Sequence, residues 1–256
     1  MSLTTLLWQT RDLDQALEDQ SLEPWMARAY EELRAKILDE AFPCTFGTSA
    51  QKIGDLYYAF AEPDDPDRLH QATLAYLDQV RGQPVVNAAT TALALFIRLA
   101  DPPQHKTIED YHAFGWSILQ YFHDHDPYPW PDRIPTDPDD PRWSFAFAGI
   151  PIFVNFKTPQ HRARRSRQLQ NAFLLLIQPR DGFDLIAGDN PPGRHARRII
   201  RRKLYEYDRM PPCPALAHYG QDHNREWQQY ALPDDNDTSY AVCPLHIQSR
   251  SNEEKR

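Results

Sequence analysis

Basic side chains are concentrated in one short segment of this chain. Residues 161–167 (HRARRSR) contain four arginines and one histidine. A planar guanidinium presents paired N–H donors to two oxygens, so arginine clusters commonly clamp phosphates or carboxylates. The pattern therefore predicts a site for an anionic ligand, and a solvated basic turn is the alternative that composition leaves open.

Two apolar stretches flank this segment. Residues 143–156 and 171–180 are mostly aromatic or aliphatic and are bounded by glycine, proline or charged residues, as buried strands are. Rigid strands hold the loop between them in place, and binding residues are often found on such loops. The sequence thus predicts a basic site supported by two core strands.

The spacing of apolar residues predicts the other elements. Helices are expected over residues 24–42, 66–82, 107–122 and 190–210. Strands are expected over residues 56–60 and 90–99, and the alanines of the second segment make a helix its alternative. The proline-rich residues 126–141 are expected to form a long ordered loop.

These elements predict an α+β fold with a mixed, largely antiparallel sheet and helices packed on it. The length of 256 residues is sufficient for a sizeable core. We expect a single domain over residues 21–248. An N-terminal arm over residues 1–20 precedes it, and a charged tail over residues 249–256 follows it.

The composition of the chain argues against several classes of function. The net charge of −8 argues against general nucleic-acid binding. Three scattered cysteines do not form a disulfide framework, which indicates a reducing compartment. No leader pattern or apolar run of about 20 residues occurs, so we expect a cytoplasmic protein with no membrane partner.

Two further groups of residues could carry chemistry. His123 and His125 alternate with Asp124 and Asp126, so in extended conformation they could hold a metal ion together with a carboxylate. The simpler interpretation is a polar helix end. Cys44 could act as a nucleophile or a metal ligand, and a buried structural thiol is the alternative.

Several short motifs occur together in a distinctive order. They are residues 42–47 (FPCTFG), 126–131 (DPYPWP), 143–149 (WSFAFAG), 161–167 (HRARRSR), 178–180 (QPR), 207–208 (YD) and 243–244 (CP). In order and spacing the chain resembles the YqcI/YcgG family from about residue 40 to residue 247. That family includes haem-dependent N-hydroxylases of guanidino compounds.

The resemblance implies a haem b monooxygenase. Its substrate would be the guanidino group of an amino acid such as arginine or a cyclic arginine derivative, with O2 as co-substrate and electrons from an external donor. The chain could also form a homodimer. The alternatives are a non-haem metal enzyme that uses residues 123–126, and a non-enzymatic module that binds an anionic ligand through residues 162–167.

The resemblance also suggests roles for particular residues. His161 is the preferred iron ligand; the Phe-Pro-Cys motif makes Cys44 its rival. Other histidines that could reach the iron are His123, His125, His218 and His223. The expected propionate partners are Arg162, Arg164, Arg165, Arg167 and Arg180. The expected apolar wall is Phe145, Phe147 and Phe153. The acids expected to bind the guanidino group or act in catalysis are Asp126, Glu206 and Asp208.

Overall fold

A six-stranded sheet forms the centre of the fold. The computed structural model describes residues 5–85, 89–99, 106–238 and 240–247. The strands are β1 (Trp8–Gln9), β2 (Leu56–Ala61), β3 (Ala92–Ile97), β4 (Ala146–Phe147), β5 (Ile150–Lys157) and β6 (Phe173–Pro179). Their spatial order is β1-β2-β3-β6-β5-β4. Neighbouring strands run antiparallel except for β2 and β3, which are parallel.

Eight α-helices occur in the described part of the chain. They are α1 (Thr10–Glu18), α2 (Pro24–Leu38), α3 (Thr45–Ile53), α4 (Pro66–Arg81), α5 (Ile108–Asp124), α6 (Arg180–Ala187), α7 (Pro191–Asp208) and α8 (Glu226–Tyr230). Local chemistry explains several of the helix starts. Thr107 and Asp110 form a capping box at α5, and the Asn190 side chain accepts the Gly193 N–H at α7.

Strand β3 separates two hydrophobic clusters. Leu93, Leu95 and Ile97 belong to the cluster that includes buried residues of α4 and α5. The alternate residues Ala94 and Phe96 belong to the cluster that includes buried residues of α2. Successive side chains of a strand point to opposite faces, so both faces of the sheet are covered. This burial on both faces explains why the strand has no polar positions.

The α+β fold with a largely antiparallel sheet is confirmed. The strand interpretation of residues 90–99 is also confirmed, because β3 spans Ala92–Ile97. The predicted strand over residues 143–156 is interrupted by a reversal at Ala148 and Gly149, both with positive φ, which separates β4 from β5.

Three regions differ from the sequence-based expectations. The helix expected over residues 24–42 ends at Leu38, and α3 and α6 were not predicted at all. Residues 8–18 form β1 and α1, and the side chain of Leu13 is fully buried, so this part of the expected arm packs on the core. The expected charged tail lies outside the described residues.

Gly115→Ala is expected to destabilise the protein, because a Cβ at this position of α5 would lie 2.6 Å from the Phe156 ring. The overpacking cost of about 1–3 kcal/mol exceeds the roughly 1 kcal/mol by which alanine is favoured over glycine in a helix. We expect urea unfolding to show a net loss of about 1 kcal/mol in the free energy of unfolding. Gly82→Ala is the control, because nothing lies within 4 Å of a Cβ there. Equal losses in both variants would contradict this account.

Candidate functional site

A cavity of about 470 Å³ lies between the sheet and helices α2, α3, α6 and α7. Its apolar wall includes Leu33, Ile37, Phe42, Phe46, Ala50, Leu56, Leu176, Ile200, Leu204 and Leu216. Its polar lining includes Cys44, Asn155, Lys157, Arg164, Arg167, Arg180, Asp184, Arg197, Arg201, Asp208 and Tyr219. The polar groups come from segments far apart in the chain, so the fold rather than a local motif assembles the site.

Cys44 presents a thiol to this cavity from the N-terminus of α3. It is the N-cap residue of the helix, and its Sγ accepts the Gly47 N–H at 3.3 Å. Burial raises the pKa of the Cys44 thiol, while the Gly47 N–H and the charge of Lys157 act in the opposite direction. A helix N-terminus also favours negative charge. The position therefore combines a desolvated sulfur with several groups that stabilise its thiolate.

Three buried cations line the cavity and donate to backbone carbonyls. Lys157 Nζ donates to the Ser166 carbonyl at 2.6 Å. Arg164 donates to the carbonyls of Pro233 and Asp235, and Arg167 donates to those of Gln229 and Tyr230. A carbonyl oxygen satisfies a donor without cancelling its charge, so Arg164 and Arg167 keep this part of the cavity positive.

The pKa values of these cations agree with that description. Burial, followed by the charge of Arg167, lowers the pKa of Lys157 to about 7. Burial, followed by the charge of Arg164, lowers the pKa of Arg167 to about 9. Each cation thus experiences desolvation and the charge of a like neighbour. An anionic group in the cavity would favour the charged form of each side chain and would therefore oppose both decreases in pKa.

Two aspartates hold the basic segment 161–167 in place. Asp234 accepts the backbone N–H groups of Arg162, Ala163 and Arg164 at 2.8–3.1 Å. Asp208 accepts the Ser166 N–H and hydroxyl, both at 2.7 Å. This anchoring turns Arg164 and Arg167 inward, as the cavity lining shows.

The exposed members of the basic segment lie outside the cavity lining. Arg162 is exposed, and Arg165 is exposed with its guanidinium over the Tyr207 ring. These two side chains therefore do not reach the cavity with the inward-facing arginines.

His161 is fully buried but does not line the cavity. Its Nε2 lies 2.9 Å from the Leu232 carbonyl, and its Nδ1 lies 3.0 Å from the Thr158 hydroxyl. A carbonyl only accepts, so Nε2 carries the proton and Nδ1 accepts from Thr158. Burial lowers the pKa of His161 to about 3. Both ring nitrogens are thus engaged within the fold.

A second charged group lies where α6 borders the cavity. Arg180 forms ion pairs with Glu226 at 2.6 Å and with Asp184 at 3.2 Å, and its guanidinium lies 4.1 Å from the centre of the Tyr219 ring. Glu226 is buried and also accepts the hydroxyls of Ser144 and Tyr230. Arg180 is therefore neutralised within the fold, unlike the cations near Cys44.

Asp184 is the acidic side chain of this group that remains accessible. Its side chain is 35 % exposed, whereas that of Glu226 is 1 % exposed. Burial raises the pKa of the Asp184 carboxyl, and the Arg180 guanidinium opposes the increase. Sequence inspection did not select Asp184, because a single aspartate in the unpredicted helix α6 carries no motif.

The other predicted site residues are dispersed. Phe153 lines the cavity, whereas Phe145 and Phe147 are buried in the hydrophobic core. Asp126 accepts the backbone N–H groups of Tyr128 and Ala148, and Glu206 is exposed on α7. Asp208 reaches the cavity, but its two oxygens are engaged by Ser166.

The predicted histidine–aspartate metal cluster does not assemble. The His125 ring stacks on Tyr121, whereas the His123 ring packs edge-on against Trp130. Over the described ranges, no group of three or more histidine, cysteine or acidic side chains is arranged to hold a metal ion. The geometry around residues 123–126 is that of a helix end followed by a capped turn.

Comparison with known proteins identifies the family. The model of the YqcI/YcgG family matches residues 33–246, which is most of the chain. The chain belongs to the YqcI/YcgG family. This result confirms the resemblance seen in the short motifs. Within the family match lie Cys44, the inward-facing arginines and Asp184.

Several relatives in this family are similar over nearly their whole length. One is a Streptomyces lavendulae protein named "Putative N(omega)-hydroxy-L-arginine synthase DcsA", which is 36% identical over 88% of this chain and 85% of its own. Two are Bacillus subtilis (strain 168) proteins named as uncharacterized. YcgG is 36% identical over 88% of this chain and 90% of its own, and YqcI is 34% identical over 94% of each. No solved structure gives a significant match.

Within the described part of the chain, no helix combines the length and the apolar character that a membrane-crossing helix requires.

Glu226→Gln is expected to lower the free energy of unfolding by about 3 kcal/mol, because it removes the closest partner of a buried guanidinium. Urea unfolding measures the effect. Glu206→Gln is the matched control, since Glu206 is exposed and lies 3.9 Å from Arg202. A surface pair of this kind contributes less than about 1 kcal/mol. A Glu226 variant as stable as the control would show that the buried pair does not stabilise the cavity wall.

Proposed function

We propose that this member of the YqcI/YcgG family is a haem-dependent monooxygenase that N-hydroxylates a guanidino group. The substrate is arginine or a cyclic arginine derivative, O2 is the co-substrate, and an external donor supplies electrons. The printed name of the Streptomyces lavendulae relative supports the reaction. The observation that carries the proposal for this chain is a single apolar cavity whose lining joins a thiol, several cations and an accessible carboxylate.

The residues of the cavity fit haem b. This cofactor has a flat apolar ring, two carboxylate side chains and an iron that needs an axial ligand. The cavity offers an apolar wall, positive charge and the thiol of Cys44. Two cavity-lining side chains also contain buried polar atoms without a hydrogen-bond partner in the described structure, namely Asn155 Oδ1 and the Nε and Nη2 atoms of Arg197. Such orphaned atoms are expected where a polar ligand completes a site.

Cys44 is the axial ligand that we propose in place of His161. Its Sγ faces the cavity and accepts a backbone N–H, which is the kind of support that a thiolate ligand needs. His161 has both nitrogens engaged elsewhere. His218 also lines the cavity and is the histidine that competes with Cys44.

The haem carboxylates need cations with free donors. Lys157 uses one N–H on the Ser166 carbonyl, and Arg201 uses Nη2 on the Leu216 carbonyl. Arg197 Nε and Nη2 have no hydrogen-bond partner in the described structure, and Nη2 lies 3.8 Å from an Asp189 oxygen. We assign the carboxylate contacts to these three side chains, because Arg162 and Arg165 lie outside the cavity lining and Arg180 is already paired.

Asp184 is the proposed partner of the substrate. A guanidinium is always charged at physiological pH and binds carboxylates through paired N–H donors. Asp184 borders the cavity beside Phe183 and Tyr219, whose rings supply surfaces on which a planar guanidinium can stack. The substrate guanidino group would thus contact a carboxylate and aromatic rings, which are the same kinds of groups that contact the guanidinium of Arg180.

These residues prepare the substrate for oxidation. Haem, when bound, supplies the reduction of O2 that places one oxygen atom on nitrogen and releases the other as water, using a pair of electrons and two protons. Asp184 binds the N–H donors of the guanidino group and so holds the nitrogen to be oxidised in a fixed position. The apolar wall excludes water and strengthens the interaction of Asp184 with the substrate.

Purified protein expressed with sufficient haem is expected to bind about one haem per chain and to show a ferrous–CO band at about 450 nm, because the ligand is a thiolate. Cys44→Ser should lose that band. Cys213→Ser is the matched control, since Cys213 is buried but does not line the cavity.

Two outcomes would count against this assignment. A histidine-type spectrum in the unsubstituted protein would reject Cys44 and direct attention to His161 or His218. Colourless protein that takes up no added haemin would reject the cofactor and favour a module that binds another anionic ligand.

Asp184→Asn is expected to weaken L-arginine binding about 10- to 100-fold, because a charge-assisted hydrogen bond contributes about 1.5–3 kcal/mol. Calorimetry on haem-loaded protein measures the affinity. Asp181→Asn is the control, because Asp181 pairs with Arg133 and does not line the cavity. Unchanged affinity in the Asp184 variant, at unchanged haem content, would place the guanidino group elsewhere.

A further inference from the structure

Helix α7 carries more positive charge than the cavity uses. The helix contains five arginines and one lysine within 18 residues of a chain whose net charge is −8. Arg194, Arg198 and Arg202 follow each other at intervals of four residues and are all exposed. Side chains with this spacing lie on one side of a helix, so they form a continuous basic stripe.

Acidic neighbours neutralise the stripe only in part. Arg194 pairs with Asp189 at 2.9 Å, and Arg202 lies 3.9 Å from Glu206 between exposed side chains. No acidic oxygen of the described chain lies within 4.0 Å of the guanidinium of Arg198 or Arg209. Exposed pairs of the Arg202–Glu206 kind are weak, so the surface remains available to an anionic partner.

The same helix forms a wall of the cavity. Arg197, Ile200, Arg201 and Leu204 line the cavity, whereas the stripe lies on exposed positions of the same helix. A helix with its side chains is about 10–12 Å across. A partner seated on the stripe is therefore one helix away from the proposed cofactor, which is a short path for an electron.

We infer that the exposed face of α7 is the docking surface for a small acidic protein that carries single electrons. The inference rests on the proposed haem function and identifies how electrons reach it. In each encounter the reduced partner would lose one electron, which the haem held in the cavity would accept. Two encounters supply the pair of electrons that one hydroxylation needs.

The dimensions and composition of the surface suit such a partner. From Arg194 to Arg209 the surface is about 22 Å long at 1.5 Å per residue. Tyr205 is 56 % exposed beside the basic residues and offers an aromatic contact at the centre of a polar interface. Electron-transfer complexes use small, charge-steered interfaces of this kind. The acidic remainder of the chain disfavours the longer contacts of nucleic acid or an anionic membrane.

The test measures binding of an oxidised plant-type [2Fe–2S] ferredoxin to the haem-loaded protein by calorimetry. We expect binding at low ionic strength that weakens steeply as salt screens the charges. The double substitution Arg198→Glu and Arg202→Glu should weaken binding at least about tenfold. The matched control is Arg11→Glu with Arg28→Glu, which changes the net charge equally at exposed helical positions. The control should stay within about twofold of the unsubstituted protein.

Several outcomes would overturn the inference. These are absence of ferredoxin binding at low salt, equal loss in both double variants, and a preference of the stripe for a DNA duplex or for vesicles with phosphatidylserine. Haem content and L-arginine binding are measured on the same samples. If both are normal while ferredoxin binding is independent of α7, the docking surface alone is rejected. If haem is absent, the proposed function is rejected before docking is considered.

Discussion

Buried positive charge that is satisfied but not neutralised is the constraint on which the site depends. Burial of a cation is costly unless its donors find acceptors. Lys157, Arg164 and Arg167 find them mainly in backbone carbonyls, which complete the hydrogen bonds and leave the charge in place. The result is a positive interior in an acidic protein. Such an interior favours an anionic guest and gives the nearby thiol an electrostatic environment that differs from that of a structural cysteine.

The acids near the site have separate tasks. Asp208 and Asp234 hold the basic segment by its backbone, and Glu226 neutralises Arg180 inside the fold. Their carboxylates are consumed by structural hydrogen bonds. Asp184 has the exposure that Asp208 and Glu226 lack, whereas the half-buried Asp234 uses both carboxylate oxygens on backbone N–H groups. A count of acids around the cavity would therefore overestimate how many can bind substrate, and the hydrogen-bond partners distinguish them.

Much of the scaffold was predictable from local pattern. The apolar run that became β3 and the two strands around the basic segment follow from composition and flanking residues. The alternation Phe153, Asn155, Lys157 in β5 also places these residues on one face of the strand, so it could have revealed Asn155 and Lys157. These signals depend only on neighbours in the chain.

The site itself depends on contacts that a linear pattern does not contain. His161 looked suitable as a ligand because arginines follow it, yet its ring is bound by Leu232, which lies 71 residues further along the chain. Arg164 and Arg165 are adjacent, but only the first meets the 233–236 segment and turns inward. Helix α3, whose N-cap is Cys44, begins two residues after Pro43, where the sequence predicted only the end of a helix. Orientation of each side chain was set by partners from elsewhere in the sequence.

The corner between α6 and α7 has a mechanical consequence. A Cβ at Gly193 would overlap the Gly188 carbonyl, so the start of α7 meets the end of α6 backbone to backbone. Arg197 adds hydrogen bonds to the carbonyls of Ala187 and Gly188. The junction between the two helices is therefore rigid, and we expect α6, which carries Asp184, to move together with α7, which carries the basic stripe. A displacement of the exposed face of α7 would therefore also displace the Asp184 carboxylate that borders the cavity.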